Sequence, residues 1–220
     1  MQKIFRFILI FSILFIFINA QKLGEIAPPE PPLDLPPNSF GVDVIFNDAG
    51  FGLGTFYKYS LNEDFITFVD FSIAETKDDR EIVFFDYFGN PVTYGKINRS
   101  LILPLNFGFQ YRLFKKTITN NLRPYFSAAV GPTMIMVTPY IKNKRQIDFF
   151  AALKYATLRY TIGGYVGFGA NFGTNKKRSL GISVRYYIVH LLGEGIENIK
   201  NKYRKDLSSI YVNISIGFFW

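Results

Sequence analysis

The chain of 220 residues contains no cysteine, one histidine and one tryptophan, and only 19% of it is charged. Without cysteine there are no disulfides, thiolate metal sites or cysteine nucleophile. The lone His190, among scattered carboxylates, gives no metal-ligand spacing, and no cofactor is expected. Helix-favouring runs with an apolar stripe are scarce. Gly167-Phe168-Gly169 lacks the further glycine and helix start of a dinucleotide fingerprint, and there is no Gly-Lys-Ser/Thr phosphate loop. The formal net charge of +8 would suit nucleic acid or anionic lipid. The basic residues, however, fall in turns and loops and form no continuous stripe, so nucleic acid is not an expected partner.

What the chain has is aromatic side chains and glycine: 25 Phe, 14 Tyr and 18 Gly. That composition favours strands and close backbone packing. Lys3 and Arg6 precede an apolar run, Phe7–Ile18, which ends at Asn19-Ala20. These are the three parts of a secretory signal peptide, residues 1–20. At about twelve residues the run falls short of the ~20 that span a bilayer as a helix. Residues 21–38 include "APPEPPLDLPP", whose prolines remove backbone donors and favour an extended conformation. This leader reads as a spacer on the periplasmic side; its functional alternative is a docking segment for a periplasmic partner.

From Ser39 the sequence alternates. Eight runs stand out between turn signals: Phe40–Phe46, Phe51–Ser60, Phe65–Glu75, Leu101–Leu113, Pro124–Thr138, Leu158–Phe172, Leu180–His190 and the terminal strand. In the last, Ile210, Val212, Ile214, Ile216, Phe218 and Trp220 share one face. The strands are long enough to cross a bilayer at a tilt. Their polar faces carry Gly, Ser, Asn and single charges, as a narrow lumen requires. Their apolar faces are continuous and have no amphipathic helix to cover them, and lipid resolves that. In a bilayer a sheet survives only as a closed barrel. The fold expected for residues 39–220 is therefore all-β: a closed antiparallel up-and-down transmembrane β-barrel of eight strands. Short joints at one end and long ones at the other (Thr76–Ser100, Tyr140–Thr157, Leu191–Ser208) fit periplasmic turns and outer loops. "EIVFFDY" and "PVTYGKI" would raise the count to ten if they entered the wall; they read instead as a hairpin above it.

The signal peptide, the stretch "GGYVGFGANFG" and the terminal "SIGFFW" together resemble the outer-membrane protein β-barrel family, over roughly Ser39–Trp220. The resemblance implies a bacterial outer-membrane location, with outer-membrane lipid around the wall. It also implies an assembly signal at Phe218 and Trp220 read by the barrel-insertion machinery, and it implies no activity.

Further candidates follow from strand phase. Asp43, Lys58, Asp70, Arg112, Arg159 and Arg185 fall on inward faces. Unpaired charges in so narrow a lumen are expensive, so ion pairs are expected among Asp43, Asp70, Arg185 and Arg112. Lys142, Lys144, Arg145 and Lys154 in one outer loop, and Lys200, Lys202, Arg204 and Lys205 in another, are placed to contact glycolipid phosphates. The expected role is non-enzymatic: structural, adhesive or surface-interacting. The runner-up is a narrow channel or an accessory in envelope export. Third comes a lipid-modifying enzyme, with His190 as base for Ser208 or Ser209 and Glu194 or Glu197 orienting it.

Overall fold

The computed structural model describes residues 36–220 except 79, 86, 90, 116, 117, 119–121, 143, 144 and 176. The signal-peptide expectation and most of the leader, residues 1–35, lie outside the described residues. Eight strands form the wall: β1 (Asn38–Asn47), β2 (Gly50–Ser60), β3 (Phe65–Thr76), β4 (Asn98–Arg112), β5 (Leu122–Pro139), β6 (Thr157–Asn175), β7 (Arg178–Val189) and β8 (Ser209–Phe219). Each pairs antiparallel with its sequence neighbours, and β8 returns to pair with β1, closing an up-and-down barrel. Closure leaves no wall strand with unpaired amides. The closing seam runs from Ser39↔Phe219 to Phe46↔Val212.

Burial follows the two-residue period of the sequence. In β8, Tyr211, Asn213, Ser215 and Gly217 are buried, while Ile210, Val212, Ile214, Ile216 and Phe218 are exposed. The same holds around the wall, where Phe51, Leu53, Phe107, Val130, Ile162 and Phe168 point outward. Each such side chain, left in water, forgoes roughly 1.5–3 kcal/mol of transfer free energy. Among the described residues no helix is long and apolar enough to cross a membrane; the apolar surface is this outward belt of strands.

The lumen is filled because eight strands enclose just enough room for side chains. Glycine makes that packing possible where rings lie against the wall. A Cβ on Gly41 would fall 2.5 Å from the Phe56 ring, and one on Gly169 2.6 Å from Tyr125. Substitution at either would drive a ring across the lumen.

The ends differ. Short turns join β2 to β3, β4 to β5 and β6 to β7 at the end that also carries Asn38 and Phe219, hereafter the turn end. The other joints lie at the loop end. The one short joint there, Asn47–Gly50, is closed by the Asn47 side-chain oxygen, which accepts from the amides of Ala49 and Gly50, both 3.0 Å. In the joint between β3 and β4, Val83–Phe85 pairs only with Pro91–Thr93. These segments form a separate hairpin, and the wall count is eight.

Candidate functional site

The centre of the lumen is a charged cluster built by three inward positions at matching depth. Arg185 on β7 directs Nη2 to Asp43 Oδ2 on β1 at 3.1 Å and Nη1 to Asp70 Oδ2 on β3 at 3.7 Å. All three side chains are under a tenth exposed. Asp70 accepts further hydrogen bonds from the Tyr165 hydroxyl (2.6 Å) and Asn106 Nδ2 (2.7 Å). In the amide orientation that satisfies both groups, Asn213 Oδ1 accepts from Arg185 Nη1 at 3.0 Å and Nε at 3.2 Å. The guanidinium lies 4.9 Å from the Tyr165 ring centroid, within cation–π range. Stacked on this cluster, Tyr165, Tyr187 and Tyr211 succeed one another at 4.8 and 4.5 Å between centroids.

Above the tyrosines the lumen turns apolar. Ile45, Ala74, Ile102, Ile135 and Val189 from the wall meet Leu191, Ile196 and Leu207 from the joint between β7 and β8 in one buried cluster. That joint is tied to the one between β3 and β4. The Ile97 amide donates to Asn198 O and the Lys200 amide to Gly95 O. Ser100 Oγ donates to Asn198 Oδ1 at 2.7 Å, and Asn98 Nδ2 to Glu197 O at 2.6 Å. A nearly buried ion pair, Lys96 with Glu81 at 2.7 Å, fixes the base of the hairpin. Beside it the Arg80 guanidinium, hydrogen-bonded to Asp78 at 2.7 Å, holds that carboxyl below its ordinary 3.8. The two joints thus cap the barrel, with charged cluster, tyrosines and apolar layer in series beneath. The tip beyond the cap is strongly apolar: Tyr87 is 97% exposed, Tyr94 85% and Phe88 84%.

Of the residues singled out from the sequence, Asp43, Asp70 and Arg185 come together. Arg112 does not join them. It pairs across the strand with Tyr125, whereas Asp70 pairs with Asn106, and six residues of strand separate the two by about 20 Å. Arg159 is exposed rather than inward. At that height β6 pairs with β5 alone, because its ladder with β7 begins only at Gly163↔Val189. Lys58 is inward, its Nζ 4.4 Å from the Phe56 ring centroid. Phe218 stacks on Phe40 at 5.5 Å, and Trp220 lies 5.1 Å from Phe40 and 5.8 Å from Tyr57, so both aromatics bridge the seam.

Among the outer cations, Lys144 lies outside the described residues, as do the side chains of Lys142 and Arg145. Lys200 and Lys202 are exposed. Arg204 instead turns inward, donating from Nη1 to Lys77 O at 2.5 Å, because the packed joints leave a carbonyl beside it. The serine–histidine arrangement does not form. Ser208 Oγ donates to Asp206 Oδ1 at 2.5 Å and Ser209 Oγ to Asp48 at 2.8 Å. Glu197 accepts from the Asn201 amide at 2.5 Å. No group of three or more metal-ligating side chains occurs among the described residues. Sequence reasoning missed Tyr165 and Tyr187 as cluster members, although strand phase held the signal: both lie two positions from residues already read as inward, Gly163 and Arg185.

No family model and no curated protein matches the chain. Among solved structures it is similar to the N-terminal β-barrel domain of Pseudomonas aeruginosa OprF, at 14% identity and TM-score 0.46, covering 83% of this chain and 96% of that one. Neisserial surface protein A is similar at 12% identity and TM-score 0.47, with 83% and 94% covered. The outer membrane protein OprG from Pseudomonas aeruginosa is similar at 11% and 0.49, with 86% and 97% covered.

Proposed function

We propose that this protein is a non-enzymatic bacterial outer-membrane barrel that holds a rigid cap of loops at the cell surface for contact with other surfaces or molecules. The observation that carries the reading is the combination of an outward apolar belt with a lumen filled along its length. A belt of this extent calls for lipid around the wall. A lumen crossed by the Arg185–Asp43–Asp70 cluster, stacked tyrosines and an apolar layer serves as a scaffold and not as a conduit. The investment lies at the loop end, where two joints are cross-linked and an aromatic hairpin projects. Lys200 and Lys202 are placed to meet anionic glycolipid phosphates around the cap. Phe218 and Trp220, at the seam, support the assembly-signal reading.

The test is paired. Purified protein in a planar bilayer should give no steady ohmic current. On intact cells, epitope tags inserted at Gly89 and Gly193 should be accessible to antibody. Cells expressing a variant with Phe84, Phe85, Tyr87 and Phe88 all changed to Ser should adhere less to hydrophobic or host-like surfaces. A steady current would overturn the scaffold reading. Tags reachable only after membrane disruption would overturn the orientation.

A further inference from the structure

The turn end of the lumen holds a second group of charges, and its composition is one-sided. Arg112 on β4 and Arg123 on β5 both face inward. Arg112 pairs with Tyr125, which puts Arg123 diagonally beside it on the same face, with Cβ atoms about 7–8 Å apart. Arg112 Nε is buried and lacks a hydrogen-bond partner in the structure. Behind the two arginines, Lys58 Nζ lies 5.7 Å from the Tyr125 ring centroid and adds a third positive charge. The acids at this end do not answer them. Glu63 and Asp64 sit in the turn and are engaged by Lys115. At this end the inward positions beside the arginines carry Gln110, Asn171, Ser60 and Ser179, which are neutral donors and acceptors.

Two neighbouring guanidinium groups with a lysine behind them, in a partly desolvated mouth, repel one another unless an anion lies between them. Arginine forks match the oxygens of carboxylate and phosphate in bidentate fashion. Three cations favour the more highly charged of these, and a phosphate group near neutral pH carries close to two negative charges and three strong acceptors. The neutral amides and hydroxyls around the mouth supply donors for the remaining oxygens. We infer that Arg112 and Arg123 form a phosphate-binding site at the turn end of the lumen, reached from the side opposite the loop cap. The phosphate would come from a soluble anion or from a phospholipid headgroup folded over the rim. The inference does not depend on the surface role proposed above, and its test does not need the protein in a cell.

The full chain, folded in zwitterionic detergent, would be titrated with inorganic phosphate against chloride at constant ionic strength while thermal unfolding is followed. A saturable rise in the midpoint is expected, with phosphorus resonance broadening on addition of protein as an independent readout. Arg112→Gln and Arg123→Gln should each weaken the apparent phosphate affinity roughly tenfold or more, whereas Lys200→Gln at the loop end should not. Should a glutamine variant fail to fold, Arg112→Lys keeps the charge without the fork and should still bind more weakly than wild type. The lipid source is separated in nanodiscs. A gain in stability from phosphatidylglycerol over phosphatidylcholine that Arg112→Gln abolishes would assign the site to headgroups. A saturable response to free phosphate in both nanodiscs would assign it to soluble anions. No saturable phosphate response together with no phosphatidylglycerol effect, or responses of equal size in wild type and Arg112→Gln, would overturn the site.

Discussion

Replacing Arg185 with Ala tests the reading of the lumen most directly, because the structure says which partner should suffer. Asp70 would keep its hydrogen bonds from Tyr165 and Asn106. Asp43 would keep little: its Oδ1 already has no partner and its Oδ2 bond is the one to Arg185. The variant therefore leaves one carboxylate, 2% exposed, as an uncompensated buried charge, which costs about 3–5 kcal/mol. At a typical urea dependence this moves the unfolding midpoint down by on the order of 1–3 M. Arg185→Lys should recover only part of the loss, because one ammonium cannot reproduce a fork that reaches two carboxylates and the Asn213 amide. Asp43→Asn in the Ala background should recover more, since it removes the stranded charge. The chain has one tryptophan, and Trp220 packs on Phe40 across the seam, so its fluorescence in lipid vesicles reports opening of the barrel without labels. An Arg185→Ala protein as stable as its parent would refute the reasoning. So would an Asp43→Asn, Arg185→Ala double variant no more stable than the single one, since the penalty would then not reside on Asp43.

Other expectations concern the seam and the cap. Deleting Phe218–Trp220 removes the ring contacts to Phe40 and Tyr57 and should abolish folded, heat-modifiable barrel in membranes; normal amounts would count against the assembly role. Lys96→Ala strands Glu81, which is 1% exposed in its side chain, and should loosen the cap by about 3–5 kcal/mol. Hydrogen exchange at Ile97 and Lys200 should then accelerate while the wall is unchanged. Asp78 is held below its ordinary 3.8 by the Arg80 guanidinium. Its contribution is therefore complete above that value and is lost as the pH falls through the depressed one. Pepsin cleavage in the hairpin should rise on acidification below pH ~4 and respond less in Asp78→Asn; a pH-independent rate in wild type would remove Asp78 from the cap.

The wall was legible in the sequence because a strand in a closed barrel has two environments and a period of two. Val212 and Asn213 differ in residue type for the same reason that they differ in burial. The depth of a charge was legible only where the strands on either side run in continuous register, as at Asp43, Asp70 and Arg185. Arg112 and Arg159 obey the same inward phase yet miss the cluster, since phase gives the face and says nothing of height or of where a neighbouring strand ends. Height is set by the stagger between strands, which side-chain pattern does not encode. The loop cap was illegible for a different reason. Asn198 and Ser100 meet across nearly the whole length of β4 to β7, and neither lies in a periodic segment. Their contact depends on how two irregular joints fold over an apolar layer that only the closed wall creates. That dependence has a consequence for the cap's stability: Leu191, Ile196 and Leu207 can bury themselves only against Ile45, Ile102 and Ile135. The loops should therefore order after the barrel closes, and a seam that fails to close should leave the hairpin's aromatic tip on a chain with no cap to hold it.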